Sequence, residues 1–360
     1  MTGAARAIDI IRRAIDARIF PAAAAEAGFD RGITLSQTFG RTTFDPESPQ
    51  TTHDTAFDLA SLTKPIVTTS VVMQLMEDRR LRLDQPVAEC FSEWRGADRE
   101  SVTLQDLLEH ASGLPARLLD APPATRREFE HDICTMPLEY RPRTRSIYSD
   151  LDFILLGFLI ERVGGGSLAS QFGRIRQTLS AAEPQLAYTD APLEFTPHAE
   201  HPSWIAPTLP LDDDPRRGRT LVGEVHDSYA AALGGVAGHA GLFGTLTSVA
   251  AFARAVLRAA RGDASVPMPL SPPLVARATR KTAVPGSSRA LGWDTMLPTS
   301  SCGSHMSPSA FGHTGFTGTS MWIDPGRNRY FVLLTNRVCG GGTLDQMREV
   351  RRAFHDALAD

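Results

Sequence analysis

Lysine is almost missing from this 360-residue chain: of 37 basic side chains only Lys64 and Lys281 are lysines, and the rest are arginines. Codon usage accounts for most of such a skew, but it singles out both positions for inspection. Cysteine is also sparse. Cys90, Cys134, Cys302 and Cys339 lie far apart, with no CxxC and no paired Cys/His spacing. That excludes a zinc signature and a dense disulfide framework, and free buried thiols suit a reducing compartment. Long apolar runs are absent too: the stretches at 66–76 and 153–160 are broken or too short to span a bilayer. Blocks of one charge sign are missing, and 41 acidic against 37 basic residues leave a net charge of −4, which argues against nucleic acid as a partner. Hydrophobic content of 42% excludes a disordered chain.

What is present divides into helical and strand patterns. Residues 1–20 place Ile8, Ile11, Ile15 and Ile19 on one face without the apolar core of a signal peptide. The expected location is therefore cytoplasmic as the sequence stands, or periplasmic or otherwise extracytoplasmic if a leader has been removed. Residues 33–44 alternate as a strand around a turn at Gly40. Residues 61–81 have helical spacing, with Val67, Val71, Leu75 and Met76 as the buried stripe. Further helices are predicted at 104–110 with Thr103 as N-cap, at 150–163, at 248–261 and at 344–358. Residues 319–324 and 330–336 read as adjacent strands. The proline-rich stretch 184–223 reads as a long surface excursion. Strands near both ends around a helical middle predict an α+β fold: residues 1–65 and 225–360 form a sheet domain, residues 66–224 an inserted helical domain, and the site lies between them.

The sharpest local feature is Phe57-Asp58-Leu59-Ala60-Ser61-Leu62-Thr63-Lys64. Ser61 and Lys64 stand three apart at a helix start, so both project from one face. A serine hydroxyl needs a base nearby, and a lysine can serve if desolvation or a cationic neighbour lowers its pKa. Arginine cannot be deprotonated and lysine can, which gives a chain otherwise built with arginine a reason to place lysine here. Elsewhere, His198 and His201 have ligand-like spacing but no third ligand nearby, so no metal site is assigned. Residues 165–167 fall short of a nucleophile elbow. The glycines of 234–244 fit close backbone packing rather than a phosphate loop. His226 and His239 read as packed, hydrogen-bonded side chains of the site wall.

Ser-x-x-Lys resembles the first signature of the serine β-lactamase and penicillin-binding-protein superfamily. Other elements follow in order: Leu81-Arg82-Leu83-Asp84-Gln85-Pro86-Val87 and Leu107-Leu108-Glu109-His110-Ala111-Ser112-Gly113-Leu114 resemble stretches of its class C-like branch. Tyr148-Ser149-Asp150 stands at the place of Tyr-x-Asn, and His313-Thr314-Gly315 at that of Lys-Thr-Gly. Residues 223–227 and 234–243 are similar to the penicillin-binding-protein-4-like group. The resemblance implies a β-lactamase/transpeptidase-like fold, an antiparallel sheet flanked by helices with an all-helical subdomain. It makes Ser61 the nucleophile, lets Lys64 and Tyr148 share the base work, and assigns the oxyanion hole to the N–H groups of Ser61 and of Phe316 beside an edge strand. Asp150, His313, Thr314 and Gly315 would contact substrate.

Two departures bear on specificity. Asp150 substitutes an acceptor-only carboxylate for an amide and, facing Lys64, would favour the ammonium form and leave Tyr148 the better base. His313 makes the usual lysine charge conditional on pH. The implied function is a serine hydrolase of small esters or amides, D-amino-acid or β-lactam-like, with a small molecule as partner, no cofactor, no nucleic acid and no membrane span. The alternatives are a cell-wall-fragment sensor with little turnover and a class C-like β-lactamase.

Overall fold

The computed structural model describes residues 2–118, 122–182, 193–195, 204–265 and 270–359. Strands β1 (Ala22–Phe29), β2 (Gly32–Gly40), β6 (Asp294–Thr295), β7 (Phe311–Thr314), β8 (Ser320–Asp324) and β9 (Arg329–Thr335) form one sheet in the order β2-β1-β9-β8-β7-β6. Every pairing in it is antiparallel. A second, small sheet joins β3 (Phe57–Asp58), β5 (Leu242–Gly244) and β4 (Glu194–Phe195).

The large sheet is covered on both faces, and alternation along β1 shows how. Ala23, Ala25 and Ala27 pack with Ala7, Ile11, Met347 and Phe354 of the first and last helices, Gly3–Asp16 and Leu344–Ala359. Ala22 and Ala24 join the cluster containing the Leu246–Ala260 helix. Small side chains let both helical layers approach, so an alanine-rich segment with low strand propensity lies inside the sheet. The sequence pattern assigns no element there. Glu26, buried in the same strand, accepts from Arg254 and Tyr330 at 2.7 Å each.

The segment from Ser61 departs from the single regular helix predicted. A 3₁₀ turn at Ala60–Leu62 leads into a π-helical stretch, Lys64–Thr69, and only then into the α-helix Ser70–Glu77. Pro65, without an N–H, sits at the entry to the wide turn, and such π-helical insertions cluster at functional sites. Val67, Val71 and Leu75 are buried as expected; Met76 is only half-buried.

The Asp150–Gly164 helix is buried along ten consecutive residues from Leu151 to Ile160 and ends on Gly165 in the left-handed region (φ 75°). Gly238 lies against it: a Cβ there would stand 2.0 Å from Phe153 O. Close packing therefore explains this glycine. No single described helix is long and apolar enough to cross a membrane. All four cysteines are free thiols.

Candidate active site

The turn that carries Ser61 is built on strain and anchored from three sides. Ala60 has a positive φ of 48°, a costly conformation for a residue with a Cβ. Its N–H is held by Asp58 Oδ1 at 2.8 Å, while Asp58 Oδ2 accepts the His226 N–H at 2.7 Å. The turn after β7 docks on the same segment: Thr317 Oγ1 donates to Asp58 O at 2.7 Å and Thr319 Oγ1 to Leu59 O at 3.0 Å. Gly315 is required by this approach, since a Cβ there would lie 2.6 Å from Leu59 O.

Asp58 is 2% exposed. Burial first of all pushes its carboxyl up to about 6; nearby Asp227 adds to this, and the His226 and Ala60 N–H groups and Arg216 oppose it. The folded pKa therefore exceeds the unfolded one. Asp58 favours folding below pH 4 relative to its effect at neutral pH, and that contribution is lost as pH rises through about 6. The cost is on the order of 3 kcal/mol. Urea titrations of wild type and Asp58→Asn between pH 4 and 7.5 should show the stability difference moving in the variant's favour as pH rises. A pH-independent difference contradicts this.

Lys64 is fully buried. Its Nζ donates to Ser61 Oγ at 3.0 Å, Asp150 Oδ1 at 2.8 Å and His239 O at 3.2 Å. Burial acts to lower its pKa, but the Asp150 carboxylate and then Tyr148 outweigh it, and the ammonium form is held above the usual lysine range. This is the ammonium form expected if Asp150 faces Lys64: a carboxylate at hydrogen-bond distance overrides desolvation. With three protons committed to three acceptors, Lys64 has no lone pair to offer.

Asp150 continues the chain of charge. Arg117 Nη1 donates to Asp150 Oδ2 and to Asp227 Oδ2, at 3.3 Å each. Asp227 Oδ1 meets His239 Nε2 at 2.7 Å. Burial opposes ionisation of Asp227, yet the His239 ring, Arg117 and the Ala230 N–H hold its carboxyl below the ordinary range. Since the carbonyl of His239 accepts from Lys64, the network closes into a ring: Lys64, Asp150, Arg117, Asp227, His239 and back.

Tyr148 stands beside this ring, its own ring flanked by Lys64 Nζ at 4.7 Å and the Arg289 guanidinium at 5.0 Å from the centroid. The 110–116 segment positions it: His110 Nδ1 accepts the Ser149 N–H at 3.1 Å, and Ala116 O accepts the Asp150 N–H at 3.0 Å. Thus the LLEHASGL segment holds the Tyr-Ser-Asp segment in place. His313 is 4% exposed. Burial, then Arg289 and Lys64, drive its pKa well below the ordinary histidine value. The imidazole is neutral at physiological pH, not a pH-conditional substitute for lysine. The strand that carries it is also not the edge: β6 lies outside β7 but pairs only with Phe311 and Gly312, leaving His313 and Thr314 beyond its end.

Ser61, Tyr148, Asp150, His313, Thr314, Gly315 and Phe316 line one cleft of about 670 Å³, with Lys64 behind Ser61. His226 also lines it and stacks on Phe316 at 5.5 Å between ring centroids. Among the described residues no group of three or more His, Cys, Asp or Glu side chains could hold a metal ion; His198 and His201 lie outside them.

A sequence-family model described as Beta-lactamase matches residues 9–354. The chain belongs to the beta-lactamase family. Among curated proteins, it is 31% identical over 316 residues to a putative D-alanyl-D-alanine carboxypeptidase of Escherichia coli K12, covering 79% of this chain and 70% of the relative. Among solved structures, it is similar to EstCE1, a hydrolase with promiscuous acyltransferase activity (TM-score 0.75, 19% identity, 99% and 98% of the two chains). It is also similar to a penicillin-binding-protein homologue from Caulobacter crescentus (TM-score 0.72, 17% identity, 99% and 98%). These likenesses establish the fold, and the family supports serine-hydrolase or acyl-transfer chemistry.

Sequence motifs did not single out Arg117, Arg289, Arg337 or Arg351 at this site. Each is one arginine among many, brought in from a distant segment. Asp58 and Asp227 fall inside quoted stretches, but spacing alone says nothing of their partners.

Proposed function

We propose that this chain is a serine hydrolase that acts on small esters or amides through an acyl-enzyme at Ser61. The observation that carries the reading is the Ser61 Oγ–Lys64 Nζ contact of 3.0 Å at the wall of an open cleft, made by an ammonium whose other protons are fixed. Lys64 then orients Ser61 and supplies positive charge, and Tyr148 takes the proton. Ser61 Oγ attacks the acyl carbonyl as its proton passes to Tyr148 in its phenolate form, whose ring Lys64 and Arg289 flank, and the oxyanion is received by the N–H groups of Ser61 and Phe316. Collapse of the adduct expels the alcohol or amine, which takes the proton from Tyr148. Water then loses a proton to Tyr148, attacks the ester, and Ser61 leaves with that proton restored.

Neutral His313 offers no charge to a β-lactam carboxylate, which favours ester and amide substrates over β-lactams. The relatives' name supports D-amino-acid amides within that class. The test is a panel of short-chain nitrophenyl esters, D-amino-acid amides and a chromogenic cephalosporin, with intact-protein mass spectrometry alongside. The expected result is turnover of an ester or amide and a transient acyl adduct on the Ser61 peptide. A persistent penicilloyl adduct with no ester or amide turnover overturns the reading in favour of a binding protein.

A further inference from the structure

Two buried arginines hold the turn that carries Phe316, and neither has a carboxylate within ion-pair distance among the described residues. Arg351, on the last helix and 6% exposed, donates from Nη2 to Gly315 O at 2.6 Å and Thr319 O at 2.9 Å, and from Nε to Gly318 O at 3.3 Å. Arg337 donates from Nε and Nη2 to Phe316 O at 3.2 and 2.7 Å, and from Nη1 to Gly342 O at 2.7 Å. Burying a cation without a counter-charge is costly, so two behind a single turn call for a reason beyond bracing a loop.

The two arginines act on different peptide groups. Gly315 C=O and Phe316 N–H are the two ends of one peptide, and Arg351 bonds its carbonyl end. Arg337 bonds the carbonyl of the next peptide, whose N–H belongs to Thr317. A charge-assisted bond to a carbonyl draws electron density through the amide and makes its N–H a stronger donor. It also fixes the direction in which that N–H points.

We propose that Arg351 is a positioning residue for acyl transfer, which orients and polarises the Phe316 N–H through the Gly315 carbonyl so that it binds the oxyanion more strongly. The proposal rests on the reading of Ser61 and Phe316 given above. Burial and, after it, Arg337 lower the Arg351 pKa to about 9, so the group is still cationic at neutral pH. Arg351 lines the same cleft as Gly315 and Phe316, and its bond to Gly315 O sets that charge against the peptide that carries the Phe316 N–H.

The test compares Arg351→Gln with Arg337→Gln. In Arg351→Gln, kcat should fall about 10–100-fold, short of the 10²–10³-fold typical when an oxyanion donor is itself removed, with KM little changed. The decisive readout is the infrared stretch of a ¹³C-labelled acyl carbonyl on Ser61. It should move to higher wavenumber in Arg351→Gln and far less in Arg337→Gln, whereas a role limited to bracing the turn would move both alike. If Arg351→Gln does not fold, Arg351→Lys keeps a cation without the planar fork and should still show a stretch above wild type; a wild-type stretch overturns the proposal. An adduct on Ser61 with an unmoved carbonyl in the Arg351 variant overturns this inference alone. No wild-type adduct at all overturns both readings.

Discussion

Ser61→Ala is expected to reduce hydrolysis of short-chain nitrophenyl esters by about 10⁴–10⁶-fold and to abolish covalent labelling by a fluorophosphonate. The magnitude follows from what the side chain touches. Among the described residues, Ser61 Oγ is the one hydroxyl that both lines the cleft and receives a Lys64 proton. The fold should tolerate the change. Ser61 is half-buried at the cleft, so water can replace its oxygen as the third acceptor of the ammonium, and the melting temperature should shift little. Turnover, labelling and thermal unfolding measured on the same preparation separate a lost nucleophile from a lost fold. Labelling that survives in Ser61→Ala rules out this serine as the nucleophile.

Lys64→Arg should be nearly as damaging, although it preserves the charge. One tetrahedral nitrogen reaches three acceptors from three directions, Ser61 Oγ, Asp150 Oδ1 and His239 O, inside a space with no solvent exposure. A planar guanidinium is larger and spreads its donors over a fixed fork. The expected result is a loss of about 10²–10⁴-fold in kcat together with overpacking of about 1–3 kcal/mol. Lys64→Met removes the charge instead, leaving Asp150 without its nearer cation and His239 O without a donor, at about 3–5 kcal/mol. Urea midpoints and kcat for both variants provide the check. An arginine variant with more than a tenth of wild-type activity would show that charge, not geometry, is what the site requires.

This changes why the scarce lysine stands where it does. Sequence reasoning left Lys64 as either the base or its cationic support; its surroundings keep the proton in place, and shape distinguishes it from arginine. The strands at 320–324 and 329–335 and the last helix were legible because alternation and helical periodicity reflect burial directly. Strand β1 was not, because alanine carries no periodic signal when both of its faces are covered. The Ser61, Tyr148 and His313 segments were legible as short motifs, yet their couplings were not. Arg117 joins Asp150 to Asp227 across 33 and 110 residues of chain, and nothing in local spacing encodes such a bridge. The protonation state of His313 was likewise out of reach, since it is set by burial together with the charges of Arg289 and Lys64 from distant segments.

The closed ring from Lys64 through Asp150, Arg117, Asp227 and His239 ties together segments that lie far apart in the chain. Its members have poor alternatives when separated, because a half-assembled ring leaves desolvated charges facing one another without their partners. Assembly of the site should therefore be cooperative with the folding of the whole chain, with no populated intermediate that is catalytically competent. In a refolding experiment, recovered turnover should count native molecules one for one, which makes the substrate a quantitative probe of how much of a preparation has reached its final structure.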